Sequence, residues 1–190
     1  MAELLEIRWH GRGGQGVVTA GALLAEAVLT EGKHFQSFPE YGPERMGAPI
    51  QAFSRVSTEP INLRCGITNP DIVIVLDPTL IGVVDVAEGL EGDGVIIVNT
   101  NESPEAVRKR LGILGRKIFT VDATTISLET IGKPIPNTPM MGALLKATGI
   151  LSLENVVNHL SESFSKKFSA EIVEGNIKAV ERAYEEVKSE

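Results

Sequence analysis

The chain has 190 residues, 43% of them apolar, enough to bury one core, and its length fits a single domain over residues 1–190. Against 18 basic side chains stand 25 acidic ones, and a net charge of −7 argues against general affinity for nucleic acid or an anionic membrane. No apolar run approaches the roughly 20 residues that span a bilayer. The start, Met1-Ala2-Glu3-Leu4-Leu5-Glu6, lacks the basic segment of a secretory signal, so a cytoplasmic location is expected.

In chain order, the run Leu4 to Trp9 suits an interior strand, and Val17 to Leu29, apolar nearly all round, suits a buried helix. Between them lies His10-Gly11-Arg12-Gly13-Gly14-Gln15-Gly16, read as a tight turn from strand to helix. Backbone N–H groups at a helix start have no partner inside the helix, and together with the helix dipole they favour an anion. Glycines 11, 13 and 16 also fit G-x-G-x-x-G, a weak signal alone, because many such turns use glycine only to bend and pack. Both readings, anion cradle and plain turn, stay open on these residues.

Glu31-Gly32 stops the helix, and His34 to Phe38 reads as a second strand with His34 at the surface. The segment from Pro39 to Pro49 holds three prolines and two glycines, which exclude regular structure there, yet it carries Glu40, Tyr41, Glu44 and Arg45. A stiff loop bearing acid, base and phenol is a place for function, provided that it lies near the glycine turn. Gln51 to Ser57 alternates as a third strand. Its short link to the second, with no helix, predicts antiparallel pairing or separation, a departure from a regular dinucleotide-binding fold.

Asp71 to Asp77 is a continuously apolar strand closed by Asp77-Pro78, cap chemistry that predicts a helix over Thr79 to Val86. Gly94 to Asn99 repeats the strand pattern, Ser103-Pro104-Glu105 starts another helix, and Lys117 to Val121 is a strand ending in Asp122. Asp77, Asn99 and Asp122 therefore share the carboxyl edge of the sheet, where ligands bind in open α/β folds, although capping explains each singly. Arg108-Lys109-Arg110 and Arg116-Lys117 form a basic run, read as a solvated face. The single cysteine, Cys65, excludes an internal disulfide and reads as a small buried residue.

A second rigid loop, Pro134 to Ala143, leads into a helix from Thr138-Pro139, with Asn137 just ahead of it, free to present an amide, and Met140 and Met141 as packing residues. Two further helices follow, one after Ser152 and one capped by Ser169, with His159 on a polar side. The fold expected is α/β: a three-layer α/β/α sandwich with a mixed, mostly parallel sheet and additional C-terminal helices. The chain has no G-x-x-x-x-G-K-[ST], no metal-spaced His/Cys/carboxylate cluster and no G-x-S-x-G.

With the glycine turn, Tyr41-Gly42-Pro43-Glu44-Arg45-Met46-Gly47-Ala48, and Asn137 before Pro139-Met140-Met141-Gly142-Ala143, the chain resembles the gamma subunits of pyruvate:ferredoxin oxidoreductases (pyruvate synthases), within the 2-oxoacid:ferredoxin oxidoreductase family. The resemblance implies a subunit without independent activity, in a hetero-oligomer with alpha, beta and delta subunits. In such complexes thiamine diphosphate attacks the keto carbon of pyruvate and CO2 leaves. Electrons pass to [4Fe-4S] clusters and ferredoxin, and the acetyl group passes to coenzyme A. Thiamine diphosphate and the clusters sit in partner subunits, so this chain holds no metal or cofactor of its own. It also implies that this subunit helps to shape the coenzyme A side of the site, through Gly11, Gly13, Gly14, Gln15, Gly16, Tyr41, Glu44, Arg45 and Asn137. Two alternatives stay open: a free-standing nucleotide-binding module with Glu40 as its ribose acid, or a scaffold subunit whose glycine loops touch no ligand.

Overall fold

The computed structural model describes residues 4–40 and 47–190. Among them, seven strands share one sheet: β1 (Leu4–Arg12), β2 (His34–Glu40), β3 (Pro49–Ser57), β4 (Ile72–Val75), β5 (Val95–Asn99), β6 (Lys117–Val121) and β7 (Lys188–Ser189). Their order is β2-β3-β1-β4-β5-β6-β7. The centre, β1-β4-β5-β6, is parallel, while β3 pairs antiparallel with both β1 and β2, and β7 antiparallel with β6. Of the two arrangements that the short link between β2 and β3 allows, antiparallel pairing and separation, the structure has the antiparallel pair. The link also drops β3 into the place beside β1 that a regular dinucleotide fold gives to its second strand.

The helices are α1 (Val17–Thr30), α2 (Pro104–Leu111), α3 (Ala123–Ile131), α4 (Asn137–Thr148), α5 (Leu153–Ser165) and α6 (Ala170–Glu186). Strand alternation sorts them into layers. In β4, Ile72 and Ile74 face a core built with α1, α3, α4, α5 and α6, whereas Val73 and Val75 face a second core with Val107 of α2. The C-terminal helices are thus integral to the larger core. Small residues let them approach closely: a Cβ on Gly142 of α4 would meet the Val180 carbonyl of α6 at 2.1 Å, and one on Gly175 of α6 would meet the Thr130 carbonyl at 2.4 Å.

The second face of β1 and β3 carries polar side chains, because irregular chain covers it instead of helix. Buried coil leaves carbonyls that need donors. Arg8 donates to the carbonyls of Val86 and Glu88, and Arg55, 1% exposed, donates to those of Cys65 and Gly66 while pairing with Glu6 at 2.7 Å. His10, buried beside Arg8, accepts from its Nε at 3.0 Å. Burial first, then the Arg8 charge, push the His10 pKa down to about 3, so the ring is neutral.

Several expectations need correction. The helix foreseen over Thr79–Val86 is a single 3-10 turn, Pro78–Leu80, followed by irregular chain. Asp77 caps that turn, but Gly82 at φ +90° and the β-branched Val83 and Val84 do not continue it. Conversely a helix not expected from the sequence, α3, follows β6: Asp122 at the strand end is its cap, accepting from the Thr125 N–H, and Gly132 closes it in the left-handed region. Cys65 is exposed, not buried, because its segment hangs from Arg55 by backbone carbonyls. His159 is half-buried and bonded to Glu26 across α1 and α5. Ser169 stands at the N-cap of α6 without a side-chain capping bond. Of the basic run, Arg108 and Arg116 are spent on neighbouring carbonyls.

Candidate functional site

At the carboxyl edge of the parallel strands, β1 runs straight into the glycine turn and α1. The turn is held from below by side chains. Arg12 donates through Nε to Asp77 Oδ2 at 3.1 Å, through Nη1 to the Gly47 carbonyl at 2.9 Å and through Nη2 to Thr79 Oγ1 at 3.1 Å. Gln15 accepts from the Arg12 N–H through Oε1 at 2.8 Å and donates through Nε2 to Asp77 Oδ2 at 2.8 Å. Asp77 also accepts from the N–H and hydroxyl of Thr79. Burial opposes ionisation of Asp77, but the bonds from Thr79 and Gln15 and the Arg12 charge outweigh it and hold its pKa below the usual carboxylate range.

The turn's own amides divide into two sets. Gly13 N–H points at the Ala48 carbonyl at 3.4 Å, and Gln15 N–H donates to the Arg12 carbonyl at 3.2 Å. The N–H groups of Gly14 and Gly16 meet no acceptor among the described residues. Gly14 is exposed, at φ +97°, and Gly16, at φ +79°, is the N-cap of α1 and has no side chain to cap it. The first turn of α1 contains no acidic residue either. Its orphan donors, with Val18 and Thr19 exposed beside them, therefore open to the outside.

The other residues singled out in the sequence fall as follows. Gly11 is buried at the end of β1, where a Cβ would lie 2.4 Å from Val17 Cγ2, so it serves close packing of strand on helix. Gln15, expected to face a ligand, turns its amide inward onto Asp77. Asn137, expected to be free, is the first residue of α4 and is buried against Gly16, its Oδ1 accepting from the Thr138 N–H at 2.8 Å. Thr138 in turn donates to Asn176 of α6 at 2.9 Å. Asn99 is spent on the Leu76 carbonyl and Thr124. Met140 and Met141 are core residues. Tyr41, Glu44 and Arg45 lie outside the described residues, although Gly47 and Ala48, which follow them, do lie against the glycine turn. Glu40 ends the edge strand, with β3 between it and β1, which separates it from the place of a ribose-binding acid.

Sequence reasoning missed Arg12 and Thr79. Arg12 was hidden between two glycines, and only the three-dimensional meeting of strand ends reveals its partners. A cleft of about 730 Å³ opens at the opposite, amino edge of the sheet, lined by Lys33, Asp71, Asp93, Lys117 and Thr148 among others. It is remote from the glycine turn, and Lys33 there is already bonded to Glu31 and the Ile150 carbonyl. Among the described residues no group of three or more His, Cys, Asp or Glu side chains is placed to hold a metal ion, and no helix is long and apolar enough to cross a membrane.

Fold and site together define an α/β chain with a glycine turn at the carboxyl edge of a mixed sheet that has no cap among the described residues. Residues 6–186 match the model of the pyruvate ferredoxin/flavodoxin oxidoreductase family, and the chain belongs to that family. It is 51% identical over 183 residues to the pyruvate synthase subunit PorC of Thermotoga maritima, covering 96% of this chain and 94% of that one. It is 49% identical over 185 residues to the pyruvate/ketoisovalerate oxidoreductases common subunit gamma of Pyrococcus abyssi, covering 97% and 98%. The crystal structure of the pyruvate oxidoreductase subunit PORC of Thermotoga maritima superposes with a TM-score of 0.87 at 46% identity, over 98% of each chain.

Proposed function

We propose that this chain, the gamma subunit of a pyruvate:ferredoxin oxidoreductase, supplies part of the surface by which coenzyme A reaches the reaction centre. Coenzyme A carries a pyrophosphate and a 3′-phosphate, and both need donors and positive potential. The Gly14 and Gly16 N–H groups and the start of α1 answer that need at an edge where no described residue caps them. That uncapped turn is the observation that carries the reading. The Asp77 carboxylate nearby does not oppose an incoming phosphate at full strength, because Arg12 offsets its charge. Gly13 shares the turn, and Tyr41, Glu44 and Arg45 belong to the same proposed surface by their place in the chain next to Gly47. Gly11, Gln15 and Asn137 shape the turn from beneath.

In this reading the work is divided. Thiamine diphosphate and [4Fe-4S] clusters, bound in alpha, beta and delta partners, supply the decarboxylation and electron-transfer chemistry on the way to ferredoxin. With one cysteine, this chain lacks the set of thiolates a cluster takes. Its part is to bind and orient the acyl acceptor, and the complex is read as cytoplasmic. The test is steady-state kinetics on the assembled complex carrying Gly14→Val. The KM for coenzyme A is expected to rise by about tenfold, roughly 1.4 kcal/mol of lost binding, with the KM for pyruvate unchanged. An unchanged KM for coenzyme A in a complex that still assembles would leave the turn with a docking role only.

A further inference from the structure

We infer that Arg12 is a positioning residue that locks the chain at Gly47–Ala48 to the glycine turn, and that Asp77 acts through it. The inference rests on the coenzyme A reading above and assigns residues that reading does not need. All three guanidinium nitrogens of Arg12 are committed to different parts of the carboxyl edge: Asp77 just after β4, Thr79 in the 3-10 turn, and the Gly47 carbonyl leading into β3. Its own backbone N–H is committed to Gln15. The fork of a guanidinium suits this work, since three divergent bonds need three nitrogens in fixed geometry, which an ammonium does not offer. Asp77 fixes the fork from the other side, accepting from Arg12, Gln15 and Thr79 together.

The arrangement has a consequence for binding. A surface built from two loops binds a flexible polyanion well only if both loops are held in register beforehand, because otherwise the ordering cost is charged against affinity. Arg12 is the side chain that spans the two. It does so with three of its five N–H donors turned onto the protein, and its role in this reading is to order the surface.

The experiment measures KM for coenzyme A and kcat in the assembled complex for Arg12→Met, Asp77→Asn and the double variant, with Arg12→Lys as the conservative comparison and Gly14→Val as reference. Arg12→Met is expected to raise KM for coenzyme A by roughly fivefold with kcat within about twofold, and Arg12→Lys to recover little of the loss. Asp77→Asn is expected to raise it by about threefold alone and to add nothing in the Arg12→Met background. Hydrogen exchange at the peptide containing Gly47 and Ala48 is expected to quicken in Arg12→Met, while the exchange of α1 is unchanged. This readout also applies to the chain alone should the variant assemble poorly. A lower KM in Asp77→Asn would show Arg12 to be a phosphate ligand held back by Asp77 and overturn the inference, as would additive effects or unchanged exchange at Gly47–Ala48. If Gly14→Val raises KM while Arg12→Met does not, the positioning role alone falls. If neither moves it but exchange quickens, the coenzyme A reading falls and the lock stands.

Discussion

Gly16 and Asn137 lie against each other although 121 positions separate them in number: a Cβ built on Gly16 would stand 2.7 Å from Asn137 Nδ2. The beginnings of α1 and α4 therefore meet at one point, and the two glycine- and proline-rich motifs are joined through the fold. Gly16 also holds φ +79°, which an L side chain reaches only with strain.

Gly16→Ala is accordingly expected to lower unfolding stability by about 2 kcal/mol, from backbone strain of about 1–2 kcal/mol with the contact added. Gly14→Ala, at φ +97° with no described atom within 4 Å of its Cβ position, carries the strain alone and costs less. Denaturant melts of the full chain check the order of the two. In an Asn137→Ala background the penalty at Gly16 should shrink in part, because the contacts at 2.7 and 3.0 Å with Nδ2 and Cγ are gone while the one at 3.1 Å with Cβ stays.

The α4–α6 contact gives a second expectation. A Cβ on Gly142 meets the Val180 carbonyl, a backbone atom that cannot rotate aside. Gly142→Ala should cost about 3 kcal/mol by forcing the helices apart, despite the better helix propensity of alanine. Thermal unfolding reads this as a lower Tm.

His10 predicts a pH dependence whose sign is fixed by its environment. Unfolded, the ring has a pKa of roughly 6.5; folded, burial and then the Arg8 charge lower it to about 3. The stability from the neutral buried ring is full above the unfolded value. It is lost as pH falls from about 6.5 toward the folded value, at up to roughly 1.4 kcal/mol per pH unit. Between about pH 6 and 5 most carboxylates are still ionised, so the slope there belongs largely to His10. Urea unfolding at a series of pH values should show this slope in the native chain and a flatter one in His10→Gln.

Arg55 offers a test of the coil-covered face. Its guanidinium is buried and holds Glu6 together with the carbonyls of Cys65 and Gly66. Arg55→Met should cost about 3 kcal/mol, the lower end for a buried pair broken from one side, because Glu6 keeps partial access to water. The same variant should expose residues 58–70 to limited proteolysis. In the native chain the thiol of Cys65 is on the surface and should react with a maleimide without denaturant.

The parallel strands were legible because β4, β5 and β6 read as short apolar runs closed by Asp77, Asn99 and Asp122, and burial on both faces demands that pattern. The short link between β2 and β3 excluded a parallel pair but left antiparallel pairing and separation both open, and the structure takes the first. The 3-10 turn after Asp77 was not legible, since Asp-Pro announces a helix start without setting its length. α3 was missed for the opposite reason: Asp122 ends a strand and starts a helix with no residue between. At the site, the glycine turn was visible, but the inward rotation of Gln15 was not. It depends on Asp77 and Arg12 arriving at one edge from strands more than sixty positions apart, a meeting no local pattern encodes. Cys65 was misread because a lone cysteine favours burial, while Arg55 holds this segment chiefly by the carbonyls of Cys65 and Gly66, at 2.9 and 3.3 Å, with the thiol at 3.8 Å, and leaves the residue exposed.

On the proposed function, the turn at Gly14–Gly16 receives a phosphate of coenzyme A. A structure of the assembled complex with coenzyme A bound tests it most directly. A phosphate oxygen is expected within hydrogen-bond distance of the Gly14 or Gly16 N–H, with Arg12 still clasping Asp77 and Gly47. A bound coenzyme A that leaves those amides capped by a neighbouring subunit's chain, its phosphates elsewhere, would contradict it.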